Sequence, residues 1–255
     1  MTDYLKNFIQ RVAQLILGYK KYLFLFAIYQ VYKYRFLKQD KELAYFIGLI
    51  GNNANGIIID AGANIGYTTA VFSQYLRGIT IMAFEPVKVH TEVMTKLCTY
   101  FKLKRVKIHQ IALGNKAENI QMVTPILRGV KKQGFSFIKG EVYNGEPVMD
   151  HVLEESVFMS TLDLQALNNG NNKILAIKID VENYEVFVLE GAVKLIAKYQ
   201  PIVFAELWEN ERKYACITLM NKYGYDVKVL VNNQLEDYKE GAALNYFFLP
   251  RVLSL

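Results

Sequence analysis

The chain has 255 residues, 52% hydrophobic and 21% charged, which suits one large α/β domain or two small ones with a substantial core. Its formal net charge of +6 lies wholly in residues 1–41, where Lys6, Arg11, Lys20, Lys21, Lys33, Arg35, Lys38 and Lys41 face only Asp3 and Asp40; elsewhere 22 basic and 22 acidic residues cancel. A basic body reading polynucleotide is therefore not supported, and Cys98 and Cys216 stand too far apart for a metal or redox pair, as expected of reduced thiols in the cytoplasm. His90, His109 and His151 form no ligand set, so no metal is expected.

Tyr4, Leu5, Phe8, Ile9, Val12, Leu15, Ile16 and Tyr19 recur at helical spacing, with Lys6, Asn7, Gln10, Arg11 and Gln14 between them. This predicts an amphipathic helix with a wide apolar face. The uncharged run "YLFLFAIYQVY" (22–32) follows, ended by Lys33. It falls short of the roughly 20 apolar residues that span a bilayer, and no small-residue cleavage pattern marks a signal peptide. Two readings fit this basic segment of residues 1–50. Its helices pack on the domain with their lysines in water, which is the plainer reading. Alternatively, residues 1–41 lie on an anionic membrane surface as a peripheral contact.

From Gly56 the chain alternates strand-like and helix-like stretches. Strands are predicted at 56–61, 79–85, 106–113, 173–180 and 201–207, with helices at about 68–76, 87–102, 184–198 and 210–223. Two strands, 225–231 and 243–250, end the chain with no helical stretch between them. Alternation of this kind predicts a doubly wound, Rossmann-like α/β domain over 51–255, with helices on both faces. Its sheet is seven-stranded and mostly parallel, with the final strand antiparallel. Residues 114–172 break the alternation and read as an insertion over the carboxyl edge of the sheet. Ligands bind at that edge, so the insertion is the expected cover of an acceptor.

The first strand ends at Asp60, and Gly62, Asn64 and Gly66 form the turn before the first helix of this region. A dinucleotide turn reads G-x-G-x-x-G. Here Asn64 holds the middle glycine position and the next glycine comes one residue early, so the pyrophosphate cradle is not met. S-adenosylmethionine carries no phosphate and needs an acid for its ribose. Glu85 ends the second strand, 25 residues after Asp60, at the neighbouring tip. The third tip, "ALGN" (112–115), offers Leu113 and its small neighbours to an adenine edge.

The blocks "IIIDAGANIGYTTA" (57–70), "AFEP" (83–86), "IALGN" (111–115), "TLD" (161–163), "IKIDVENYEVFVLEGA" (177–192) and "PIVFAEL" (201–207) resemble the FkbM family of S-adenosylmethionine-dependent methyltransferases. The resemblance implies a class I methyltransferase fold. It also implies methyl transfer, usually to a hydroxyl oxygen of a sugar, polyketide or other small metabolite. Asp60, Gly62, Asn64, Gly66 and Glu85 would then line the cofactor site. The family's D-V-E-G departs here to Asn183, a residue that tolerates left-handed backbone.

An alcohol acceptor needs its proton taken. Asp180 at the fourth strand tip, Glu182 two residues on, and Glu206 at the fifth tip are the candidate carboxylates. Asp180 and Glu182 flank Val181. Glu185 would favour the start of the following helix. A D-P-P-Y motif of amine methylation is absent at 180–183. The leading expectation is an O-methyltransferase acting on a glycan or small-molecule hydroxyl. The alternatives are an NAD-dependent oxidoreductase and a membrane-associated cofactor-binding module without catalysis.

Overall fold

The computed structural model describes residues 3–37, 40–51, 55–127, 129–141, 151–167, 172–241 and 243–251. Three helices come first: α1 (Asp3–Leu17), α2 (Tyr19–Leu37) and α3 (Lys41–Ile50). Gly18, at a φ of 73°, breaks the first from the second. Asp40 caps the third by accepting the Leu43 N–H at 2.9 Å. Among the described residues no helix is long and apolar enough to cross a membrane.

The alternating region begins with β1 (Ile57–Ala61), α4 (Tyr67–Tyr75), β2 (Thr80–Phe84), α5 (Lys88–Tyr100) and β3 (Val106–His109). A separate run follows: β4 (Ala112–Leu113), β5 (Glu118–Leu127), β6 (Val130–Lys131), β7 (Phe137–Ile138), β8 (His151–Ser160) and α6 (Leu162–Ala166). Alternation resumes with β9 (Ile174–Ile179), α7 (Glu185–Glu190), α8 (Val193–Tyr199), β10 (Ile202–Glu206) and α9 (Glu211–Lys222). The chain closes with β11 (Tyr225–Val231), β12 (Gln234–Asp237) and β13 (Asn245–Pro250).

Among the described residues eight strands form the main sheet, in the order β12-β11-β13-β10-β9-β1-β2-β3. The pairs from β10 to β3 are parallel, and β13 runs antiparallel to both β10 and β11. The central strand β1 is buried at all five positions, as a parallel strand covered on both faces must be. Ile57, Ile59 and Ala61 join the core under α7, α8 and α9. Ile58 joins Phe46, Phe72, Phe204 and Phe247 on the opposite face, under α3 and α4.

The sheet differs from the seven strands expected by one. Asn232 and Asn233, at φ of 50° and 65°, turn the chain directly back from β11 into β12. Two successive left-handed residues are what a two-residue hairpin requires; the polar run Gln234–Asp237 concealed the strand. The expected third strand also divides. Its first half stays in the main sheet as β3, while Ala112 and Leu113 pair with β8 in a second sheet ordered β4-β8-β5-β6, with β7 on β5.

The helix expected over 184–198 is two helices, broken at Gly191. A β-carbon there would sit 2.0 Å from the Gly114 carbonyl oxygen. Asp163 of α6 secures the restart, accepting the Lys194 and Leu195 N–H groups at 3.1 and 2.8 Å. Gly191 has an ordinary φ of −75°, so an added methyl group tests close approach alone. Gly191→Ala is expected to lower stability by about 1–3 kcal/mol, read from urea unfolding.

Candidate active site

The tips of β1, β2, β4 and β9 open into a cleft of about 640 Å³, counting its mouth. Gly62, Asn64, Phe84, Glu85, Leu113, Asp180 and Glu182 line it, and Met122 and Ile138 of the second sheet, with Ser136 just before β7, close it. Gly62 has a φ of 75° and donates its N–H to the Phe84 carbonyl at 3.0 Å. Its missing β-carbon would lie 1.8 Å from the Asp180 carbonyl oxygen, so only glycine fits. Gly66, at a φ of 86°, caps α4 and packs against Met94.

Lys178 is the charged centre beneath the cleft. Its ammonium is buried and donates to Asp180 Oδ2 at 3.1 Å and to the Gly62 carbonyl at 3.2 Å, and it pairs with Asp60 Oδ1 at 3.7 Å. Burial works against the charge, but Asp180, Asp60 and the more distant Glu206 outweigh it and raise the pKa. Asp60 is itself fully buried; its other oxygen accepts the Thr68 and Thr69 hydroxyls at 2.7 and 2.6 Å, fixing the start of α4.

Glu85 is almost fully buried at the cleft wall. Oε2 accepts the Asn64 N–H at 2.9 Å, and Oε1 accepts the Val87 N–H and the His90 ring Nδ1–H, both at 3.0 Å. A carboxylate offers about four lone-pair sites. Three are used, and the one left belongs to Oε2.

After Asp180 the chain does not stay extended. Glu182 and Asn183 take left-handed φ of 56° and 67°, and Glu185 holds the bend by accepting the Val181 and Asn183 N–H groups at 3.0 and 3.2 Å. Asp180, at the strand tip, and Glu182, on the bend, both line the cleft. Burial, then the charges of Asp180, Glu206 and Glu185, push Glu182 up to about 9. Burial raises Glu185 to about 7, against the backbone N–H groups that favour its charge. Asn183, in place of the family glycine, accepts Asn210 Nδ2–H at 2.7 Å, and Arg212 Nη1–H donates to its carbonyl at 2.6 Å. Arg212 also bonds Glu141 of the inserted segment.

A family model described as the methyltransferase FkbM domain matches residues 60–227. The chain belongs to the FkbM methyltransferase family. The solved FkbM methyltransferase from Methylobacillus flagellatus KT is similar at 14% identity and a TM-score of 0.50, covering 76% of this chain and 43% of that one. This FkbM chain thus spans less than half of that protein. A SAM-dependent O-methyltransferase from Thermotoga maritima is similar at 10% identity and a TM-score of 0.45, covering 87% of this chain and 71% of that one. An rRNA methylase from Streptococcus thermophilus is similar at 8% identity and a TM-score of 0.45, covering 81% of this chain and 91% of that one. No curated protein matches in sequence.

Membership of the FkbM family makes S-adenosylmethionine the cofactor and displaces the dinucleotide alternative. The cleft suits it: the Glu85 carboxylate and the apolar Phe84, Ile111 and Leu113 line one space. The nine residues singled out from sequence separate into two groups. Gly62, Asn64, Glu85, Leu113, Asp180 and Glu182 line the cleft. Asp60 and Gly66 lie behind its turn, and Glu206 is outside the lining, accepting Trp208 Nε1–H at 3.3 Å. Sequence reasoning missed Lys178, although a lone lysine inside "ILAIKI" was the available signal. It also missed Arg212, for which no local signal exists.

Lys178→Met would leave two carboxylates unpaired beneath the cleft, and a loss of about 3–5 kcal/mol is expected in urea unfolding. Glu182 binds its proton more tightly when folded, so the stability it contributes is full below the ordinary carboxylate range and is lost progressively as pH rises to about 9. Unfolding midpoints at pH 6 and pH 9 should therefore fall more for the wild type than for Glu182→Gln.

Proposed function

We propose that this FkbM methyltransferase moves the methyl group of S-adenosylmethionine to a hydroxyl oxygen of a sugar, glycan or other small metabolite. The observation that carries the reading is the shared cleft: the Glu85 wall and the Asp180–Glu182 bend face one space, covered by the second sheet. In this reading residues 51–255 are the methyltransferase domain, and the insertion at about 114–172 covers the acceptor. Residues 1–50 are a helical extension. The protein works in the cytoplasm without nucleic acid and meets a membrane peripherally through residues 1–41.

Bound cofactor supplies an electrophilic methyl group on a sulfonium centre. Glu85 would hold one ribose hydroxyl through Oε2, fewer than the two a free carboxylate could take. Leu113 and Phe84 would flank the adenine, and Gly62 and Asn64 the methionine end. Asp60 and Gly66 shape the turn from behind. Asp180 is committed to Lys178, which leaves Glu182 as the candidate general base. At pH 7 its carboxyl is mostly protonated, so it accepts an alcohol proton only in its ionised fraction. Glu206 acts at a distance, its charge helping to raise Glu182.

Calorimetry is expected to show saturable binding of S-adenosylmethionine; its absence would sink the reading. Glu85→Ala should weaken that binding by roughly 10- to 100-fold, the worth of a hydrogen bond to a charged group. Turnover on a hydroxylated acceptor should climb with pH toward about 9. Glu182→Gln should keep cofactor binding and lose most turnover.

A further inference from the structure

Helix α1 is mounted with its polar edge inward. Gln14 makes a reciprocal pair with the Lys131 backbone of β6, donating to the carbonyl and accepting the N–H, both at 3.1 Å. Lys132 Nζ donates to Asn7 Oδ1 at 2.7 Å and Gln10 Oε1 at 2.9 Å. Ala13 and Leu17 pack toward α2. The apolar stripe consequently faces out: Phe8 is 56% exposed, Ile9 50%, Val12 36%, Leu15 84% and Ile16 75%. A helix that merely covers a domain presents the reverse.

The surroundings of the stripe identify its occupant. Arg11 is exposed at the edge of the stripe, its guanidinium lying over Gly129 between β5 and β6, and Lys21 is exposed just past the Gly18 break. Residues 1–41 hold the whole formal net charge of +6, and the rest of the chain is neutral. An exposed apolar stripe rimmed by cations complements a surface that is apolar within and anionic at its boundary. We infer that the outward face of α1 docks on an anionic lipid bilayer, lying in the interface while its inner edge stays bonded to β6. The inference rests on the peripheral-contact reading of residues 1–41, and it commits to one face of one helix. The helix packs against the same sheet that closes the active-site cleft, so docking fixes that cover relative to the membrane.

The full chain should co-sediment with phosphatidylcholine vesicles that contain phosphatidylglycerol, and far less with phosphatidylcholine alone. Leu15→Asn with Ile16→Asn should weaken vesicle binding roughly tenfold or more, since both side chains lose their apolar contact. Arg11→Gln with Lys21→Gln should remove the preference for the anionic lipid. Leu15→Trp gives a reading without sedimentation: its emission, after subtraction of Trp208, should shift to the blue on adding anionic vesicles. Calorimetric binding of S-adenosylmethionine should be unchanged in all four proteins, which separates this inference from the methyltransferase reading. Equal sedimentation of wild type and the Asn pair, or no blue shift, overturns it. So does a lipid-free dimer that the Asn pair dissolves, which would assign the stripe to a second copy of the chain.

Discussion

One ammonium group organises the centre of this molecule. Lys178 stands directly across from Asp60 in the parallel register of β9 and β1. Burying an ion of this size costs several kcal/mol unless charge and hydrogen bonds replace water. Here two carboxylates and the Gly62 carbonyl do so. The same contacts set the position of the glycine turn, the start of α4 through Asp60, and the side chain of Asp180. Removal of the lysine would disturb all three together, because each is held through the same cation.

The bend after Asp180 is the second constraint. Two consecutive left-handed residues, neither of them glycine, are unusual and cost free energy that neighbouring contacts must offset. Glu185 offsets it from below with its two backbone contacts, and Asn210 and Arg212 do so from α9. Asn210 also caps α9 by accepting the Arg212 N–H at 2.8 Å. The asparagine in the glycine position therefore preserves the turn and adds a side-chain bond to the neighbouring helix. Arg212 then extends the network to Glu141, so that the bend carrying Glu182 and the inserted cover share one anchor.

Where the sequence could be read, local rules sufficed. Buried strands β1, β2 and β9 appear as short apolar runs, and Gly62 and Gly66 as a turn that no other residue type enters easily. Glu85 follows from its place at the next strand tip. Lys178 is not legible in the sequence because a lysine in a strand ordinarily reaches water, and only its partner on another strand shows that it does not. Asp60 is a cofactor contact only by resemblance, as one of the residues of the glycine-turn block. Its oxygens turn instead to Thr68, Thr69 and Lys178, which the spacing alone does not reveal.

The sequence by itself determined the fold class, through the periodicity of its alternating segments, and, through the resemblance of its short motif blocks, the family and the cofactor. Tertiary structure alone decided three other matters. It bent the chain after Asp180 through two left-handed residues, on a turn supported from α9. It raised the pKa of Glu182, through burial and the charges of Asp180, Glu206 and Glu185. It also decided which side of α1 meets solvent: periodicity defines two faces of a helix, but only the hydrogen bonds to Lys131 and Lys132 choose between them.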